Sequence, residues 1–174
     1  MRIAVSGAHR TGKTTLIENL REALPDYEFR EEAYYELEEE GFSFSDVPRY
    51  EDYLMMLEYS IEQISSSGDN VIFDRCPIDY FAYLQSVSKS NNDEIHSIYN
   101  RVHNTTNEID LVVFLPIEKN DLIGCSESEL PELRTEVDES IKELIRDFNL
   151  NIIEVTGAPD VRTNKVISSI KAWK

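Results

Sequence analysis

The chain has 174 residues, 41% of them hydrophobic and 29% charged, which suits one soluble globular domain and leaves little room for two cores. Its 17 Lys and Arg face 34 Asp and Glu, and a formal net charge of -17 argues against nucleic-acid or anionic-membrane partners, because no local basic patch offsets it. Cys76 and Cys125 show no metal-ligand spacing and no disulfide framework, which fits a reducing cytoplasm; the opening apolar run is too short for a signal-peptide core.

Apolar runs and helical stretches alternate along the chain. MRIAVSG reads as a buried strand ended by glycine, and Gly12 to Leu24 as a helix with Leu16, Leu20 and Leu24 on one face, stopped by Pro25. Tyr27 to Arg30 is a short second strand. Ser45-Asp46-Val47-Pro48 signals a helix start, and Tyr53, Leu54, Leu57, Ile61 and Ile64 follow at helical spacing until SSSGDN. Val71-Ile72-Phe73-Asp74 is a third strand ending on a carboxylate. Helices are expected over Ile78 to Val87 and Asn92 to Asn104. Leu111 to Leu115 is a fourth strand closed by Pro116, and a charged amphipathic helix spans Pro131 to Phe148. Ile152 to Val155 is a fifth strand, and after Gly157 and Pro159 a last helix runs to the C-terminus. No repeat or linker divides 1–174, which reads as one domain. Apolar strands spaced by helices predict an α/β fold, a parallel sheet covered on both faces, whose ligands sit beyond the carboxyl ends of the strands.

The residues after each strand therefore matter most. Gly7-Ala8-His9-Arg10-Thr11-Gly12-Lys13-Thr14-Thr15 fits G-x-x-x-x-G-K-S/T between a strand and a helix. Glycines let backbone N–H groups curl around phosphate oxygens, and the helix N-terminus favours negative charge. Lys13 is expected on the β- and γ-phosphates and the Thr14 hydroxyl on Mg²⁺, so ATP and Mg²⁺ are the implied cofactors. Arg10 could stabilise charge on a transferring phosphoryl group or simply lie on the surface; the His9 side chain is read as a bystander. Glu31-Glu32-Ala33 follows the second strand, where a carboxylate could take a proton from a substrate hydroxyl or only belong to an acidic run. After the third strand, Asp74 is expected to hold Mg²⁺ directly or through water. Arg75 points at an anionic or polar substrate or serves as an ion-pair partner, and Asp79 lies one turn into the next helix. Cys76 has no base nearby and reads as a neighbour of the site. Arg134, the only basic residue between Lys119 and Lys142, opens the charged helix after an acidic stretch where a closing lid, about 117–134, would lie. Gly157 and Arg162 bracket a loop that could pack on the nucleotide base.

VSGAHRTGKTTL, a carboxylate after the second strand, VIFDRCPIDYFAYL, IDLVVFLP, Arg134 and VTGAPDVR together resemble the P-loop nucleoside and nucleotide kinases, above all the AAA-domain family of small kinases typified by ribosylnicotinamide kinases. That family's D-R-x-x-x-D motif is similar to Asp74, Arg75 and Asp79. Its E-a-a-R motif is similar to Glu32-Ala33-Tyr34, with Tyr35 in place of the arginine. The loop with Arg10 and the run Phe73 to Arg75 also resemble thymidylate kinases, but their phenylalanine-proline-x-arginine motif is not found. The resemblance implies a three-layer P-loop NTPase fold, a five-stranded parallel sheet in the order 2-3-1-4-5, and a mobile lid over the phosphates.

On this reading Lys13, Arg10, Glu32, Asp74 and Arg134 carry catalysis, with Arg10 or Arg134 serving the transferring charge. Glu32, Arg75 and Asp79 bind a small phosphoryl acceptor, a nucleoside, nucleotide or ribosyl compound. The competing expectation is a nucleotide-dependent switch. Guanine-specific switches carry N-K-x-D, and Glu118-Lys119-Asn120-Asp121 does not fit it. Monomer and homodimer are both compatible with the sequence.

Overall fold

The computed structural model describes residues 1–88, 92–121 and 123–173, so Leu122 within the expected lid and Lys174 at the end of the last helix lie outside the described residues. Five parallel strands form one sheet in the order β2-β3-β1-β4-β5. They are β1 (Arg2–Ser6), β2 (Glu28–Arg30), β3 (Val71–Asp74), β4 (Leu111–Phe114) and β5 (Ile152–Glu154). The three central strands are buried almost throughout, which is why they read as continuous apolar runs; the edge strands β2 and β5 are part exposed.

Side chains alternate between the two faces of each strand. Ile3, Val5, Ile72, Leu111, Val113 and Leu115 pack on one face with Leu16, Ile17 and Leu20 of α1 (Lys13–Ala23) and Val166 and Ile170 of α7 (Pro159–Ala172). Ala4, Phe73, Val112 and Phe114 face the other way. They meet α2 (Ala33–Glu39), α3 (Tyr50–Ser66), α4 (Pro77–Val87), α5 (Asn92–Thr106) and α6 (Pro131–Asp147). Truncating a fully buried side chain such as Leu20 to alanine would cost about 2–5 kcal/mol.

The expected order of strands is present, and two helices depart from expectation. α2 occupies part of the acidic run after β2, held by buried Ala33 and Leu37 one turn apart. α3 starts at Tyr50 and not at Ser45, because Asp52 accepts a hydrogen bond from the Arg49 N–H at 2.8 Å and sets the first turn there. Among the described residues no helix is long and apolar enough to cross a membrane.

The register brings the chemistry to one end of the sheet. Val5 lies opposite Asp74 on β3 and Val113 on β4, so the chain leaves β1 between the two neighbouring strand ends.

Candidate active site

The turn after β1 is built for close backbone approach. Gly7 has φ 152°, and a Cβ there would lie 2.5 Å from the Leu115 carbonyl oxygen. Gly12 has φ 91°, and no side chain caps the N-terminus of α1 behind it. Uncapped N–H groups at a helix start, led by a glycine turn, form an anion site. Lys13 is buried beneath the turn and donates from Nζ to the Ala8 carbonyl at 2.7 Å. Burial, then Arg75, lowers its pKa to about 8, against the pull of Asp79, Glu32 and Asp74. Thr14 and Thr15 stand exposed on the first turn.

The end of β3 carries two carboxylates in opposite conditions. Asp74 is 9% exposed, and its Oδ1 is buried without a hydrogen-bond partner. Burial, then Glu32, pushes its pKa up to about 6, against Arg75 and Lys13. A buried carboxylate oxygen left unpartnered beside a phosphate turn fits a cation. Among the described residues no cluster of three or more His, Cys, Asp or Glu could hold a metal, so a cation here would complete its shell with water, the Thr14 hydroxyl and bound phosphate. Asp79 is 0% exposed and fully engaged. Its Oδ1 accepts from the Gly7 N–H at 2.8 Å, and its Oδ2 from the Cys76 N–H at 3.0 Å, capping α4.

Arg75 sits between them in the left-handed region, φ 74°, a conformation costing roughly 1 kcal/mol or more outside glycine. The turn sends its guanidinium back under the loop. Nε donates to Glu32 Oε1 at 2.6 Å and Nη1 to the Gly7 carbonyl at 3.1 Å, with Asp79 Oδ1 at 3.7 Å and the Tyr83 ring 5.7 Å away.

Residues on either side of Leu122 and the first turn of α6 also reach the loop. Arg134 is buried; Nε donates to the His9 carbonyl at 3.0 Å, Nη2 to the Arg10 carbonyl at 2.8 Å, and Nη1 to Asp121 Oδ2. Arg10 turns outward, its Nε 3.1 Å from Glu129 Oε1. Arg162 reaches from α7 to the Thr11 carbonyl at 2.6 Å and to Glu118 Oε1 at 2.6 Å, and Glu118 also accepts the Gly157 N–H at 2.9 Å.

Two cavities flank the loop. The larger, about 410 Å³, is walled by Gly12, Thr15, Asn120, Ile123, Pro159 and Arg162 among others. The smaller, about 230 Å³, lies between Glu32, Tyr34, Met56, Arg75 and Tyr83 on one side and Ser128 to Leu130 on the other. Tyr53 and Tyr83 stack there at 5.0 Å with an 11° interplanar angle.

A sequence model of the AAA domain matches residues 2–162. The chain belongs to the AAA-domain family. Its fold is that of the small P-loop kinases. It superposes on the NadR protein in complex with NR with a TM-score of 0.70 at 20% identity, over 98% of this chain and 50% of that one, so it spans half of NadR. Deoxyadenosine kinase from M. mycoides with products dCMP and dCDP gives 0.65 at 16% identity, covering 100% of both chains. Thymidylate kinase from Candida albicans gives 0.64 at 19%, over 98% and 90%. No curated protein matches the sequence significantly.

In this AAA-domain chain Lys13, Thr14, Asp74, Glu32, Arg75, Arg10 and Arg134 converge around the loop, and Gly157 and Arg162 line the larger cavity. Three sequence readings change. Asp79 cannot touch a substrate, because it is fully buried with both oxygens on backbone N–H groups. His9 lines the smaller cavity and not the larger, since its ring is drawn to Tyr83. Arg75 already has Nε and Nη1 engaged, so it orients Glu32 more than it reaches outward. Cys76 is a bystander: burial, then Asp79, pushes its thiol far up. The sequence reading missed Tyr53 and Tyr83 as cavity walls. Tyr53 showed only helical spacing, which reads equally as core, and Tyr83 stood inside the run VIFDRCPIDYFAYL with nothing to mark it as a wall.

Proposed function

We propose that the chain transfers the terminal phosphoryl group of ATP, with Mg²⁺, to a small acceptor: a nucleoside, nucleotide or related ribosyl compound. The observation that carries this reading is the pair of cavities on opposite sides of one phosphate turn. A hydrolase or switch needs the first cavity only. The kinase names of the structural neighbours support it.

The nucleotide base occupies the larger cavity against Pro159 and Arg162, and its phosphates lie on the turn from Gly7 to Thr15. Lys13 leaves the Ala8 carbonyl for the β- and γ-phosphates, gaining a charge-assisted partner in place of a neutral one. Thr14 and Asp74 would hold Mg²⁺, which when bound neutralises charge on the phosphate oxygens. The acceptor enters the smaller cavity, its base against Tyr53 and Tyr83 and its hydroxyl at Glu32. Glu32, held by Arg75, orients the hydroxyl and takes its proton. Arg134 stiffens the loop through two carbonyls, which leaves the half-exposed Arg10 as the cation for the transferring group. Positioning and electrostatics do most of the catalysis.

A coupled ADP-release assay with MgATP tests this against nucleosides, nucleoside monophosphates and nicotinamide riboside. Acceptor-dependent release that vanishes in Lys13→Ala is the expected result. ATP binding with no acceptor-stimulated release across the panel would contradict it.

A further inference from the structure

His9 lies at a junction that the phosphate-loop chemistry does not use. Its backbone N–H donates to the Tyr83 hydroxyl oxygen at 2.9 Å, and its Nδ1 lies 2.8 Å from the same oxygen. Its Nε2 lies 2.6 Å from the Glu129 carbonyl oxygen, which can only accept, so Nε2 carries the proton. Nδ1 is then the acceptor, and the Tyr83 O–H donates to it. Every group in this chain of bonds is satisfied in a single tautomer. Burial lowers the His9 pKa against the pull of the Glu129 carbonyl, and Arg75, Lys13 and Arg134 lower it further, in the direction of the neutral ring that this bonding pattern uses.

The two ends of this relay are walls of the same space. Tyr83 stacks on Tyr53 on one side of the smaller cavity, and Ser128, Glu129 and Leu130 form the other. The turn 126–130 is folded on itself by Glu129, whose Oε2 accepts from the Ser126 N–H at 2.8 Å. Its ion pair to the loop is weaker: Arg10 and Glu129 are 48% and 34% exposed, where water screens them. Within the segment the Cys125 thiol, a poor donor, shares the Glu129 carbonyl at 3.4 Å.

We propose that His9 is a positioning residue that clamps the turn 126–130 over the smaller cavity, so that its loss weakens the acceptor and spares the nucleotide. The inference rests on reading that cavity as the acceptor site. It assigns the loop position before Arg10 to acceptor binding, although its neighbours in sequence serve phosphate.

Three variants at His9 separate the two halves of the relay. Gln places an amide N–H where Nε2 stood and keeps the bond to the Glu129 carbonyl. Asn reaches only as far as Tyr83, and Ala reaches neither. Hydrogen–deuterium exchange of amides 126–130 in the ligand-free protein should stay near wild type in His9→Gln and rise about 10-fold in His9→Asn and His9→Ala, the size expected for one hydrogen bond. The acceptor KM should rise by about the same factor in those two variants, with the ATP KM within about twofold. Tyr83→Phe keeps the stacked ring, removes the O–H and should move both readouts in the same direction, which guards against a loop variant that fails to fold. Unchanged exchange in His9→Ala and Tyr83→Phe would overturn the clamp, and a parallel rise in the ATP KM would overturn its assignment to the acceptor. Should wild-type protein turn over no acceptor at all, the acceptor half falls with the kinase reading, and the exchange experiment still decides whether His9 holds the turn.

Discussion

The two cavities differ in how much of their chemistry is already spent. Along the turn that borders the larger one, the N-terminus of α1 is uncapped and Thr14 and Thr15 are exposed, while at the end of β3 beneath it Asp74 keeps a buried oxygen without a partner. Around the smaller one the polar groups are matched in advance: Arg75 with Glu32 and Asp79, the His9 ring with the Tyr83 hydroxyl and the Glu129 carbonyl. On the proposed reading, a site for a highly charged ligand can leave its groups waiting, because phosphate and Mg²⁺ would supply the missing partners. A site for an acceptor less charged than a triphosphate gains less from unpaired charge, and burial would make that charge costly.

Breaking the waiting side should have the largest effect. Lys13→Ala should lower acceptor-dependent turnover by about 1,000-fold in steady-state assays with little change in the circular dichroism spectrum. Next comes the matched side. Asp79→Ala strands the Gly7 and Cys76 N–H groups and leaves Arg75 short of a partner, and should cost about 2–4 kcal/mol in urea unfolding. Removing the charge at a partnered and at an unpartnered carboxylate should thus have opposite signs.

Asp74→Asn supplies that contrast. Its turnover should fall about 100-fold while the ligand-free protein gains about 1–3 kcal/mol. The sign follows from Asp74 holding its proton more tightly folded, at about 6, than unfolded. Above that pH the ionised carboxylate costs stability, and the cost fades as pH falls through 6 toward the ordinary carboxylate range. The stability gap between Asp74→Asn and wild type should therefore be widest near neutral pH and narrow below pH 6; a gap that widens on acidification would contradict it. The smallest effect sharpens the border of the nucleotide side. In Gly12→Ala the new Cβ would lie 2.8 Å from Arg162 Nη1 at φ 91°, which should raise the ATP KM about 5- to 10-fold and leave the acceptor KM unchanged.

The nucleotide side was legible because its chemistry is contiguous: one run of nine residues placed between an apolar strand and an amphipathic helix. The sheet order was not readable from periodicity and came from the family resemblance. Helix α2 hid in an acidic run because seven residues carry only Ala33 and Leu37 as a buried pair. Asp79 was misread because spacing along a helix does not say which way a carboxylate points. Yet Cys76-Pro77-Ile78-Asp79 has a proline in the first turn and an acid at the third position, a helix-start pattern that predicts a carboxylate turned back on its own backbone. The smaller cavity left the faintest trace. Tyr53, Tyr83, Glu32 and Glu129 come from four separate segments, and only the packing of α3, α4 and the turn 126–130 around the loop brings them together.

Following the terminal phosphoryl group itself decides between transfer and hydrolysis. With γ-labelled ATP, Mg²⁺ and each acceptor of the panel, the label should appear on the acceptor in proportion to ADP formed and disappear in Lys13→Ala. Label that accumulates only as inorganic phosphate, at a rate indifferent to every acceptor, would mean that the second cavity is not an acceptor site and that the chain is a nucleotide switch.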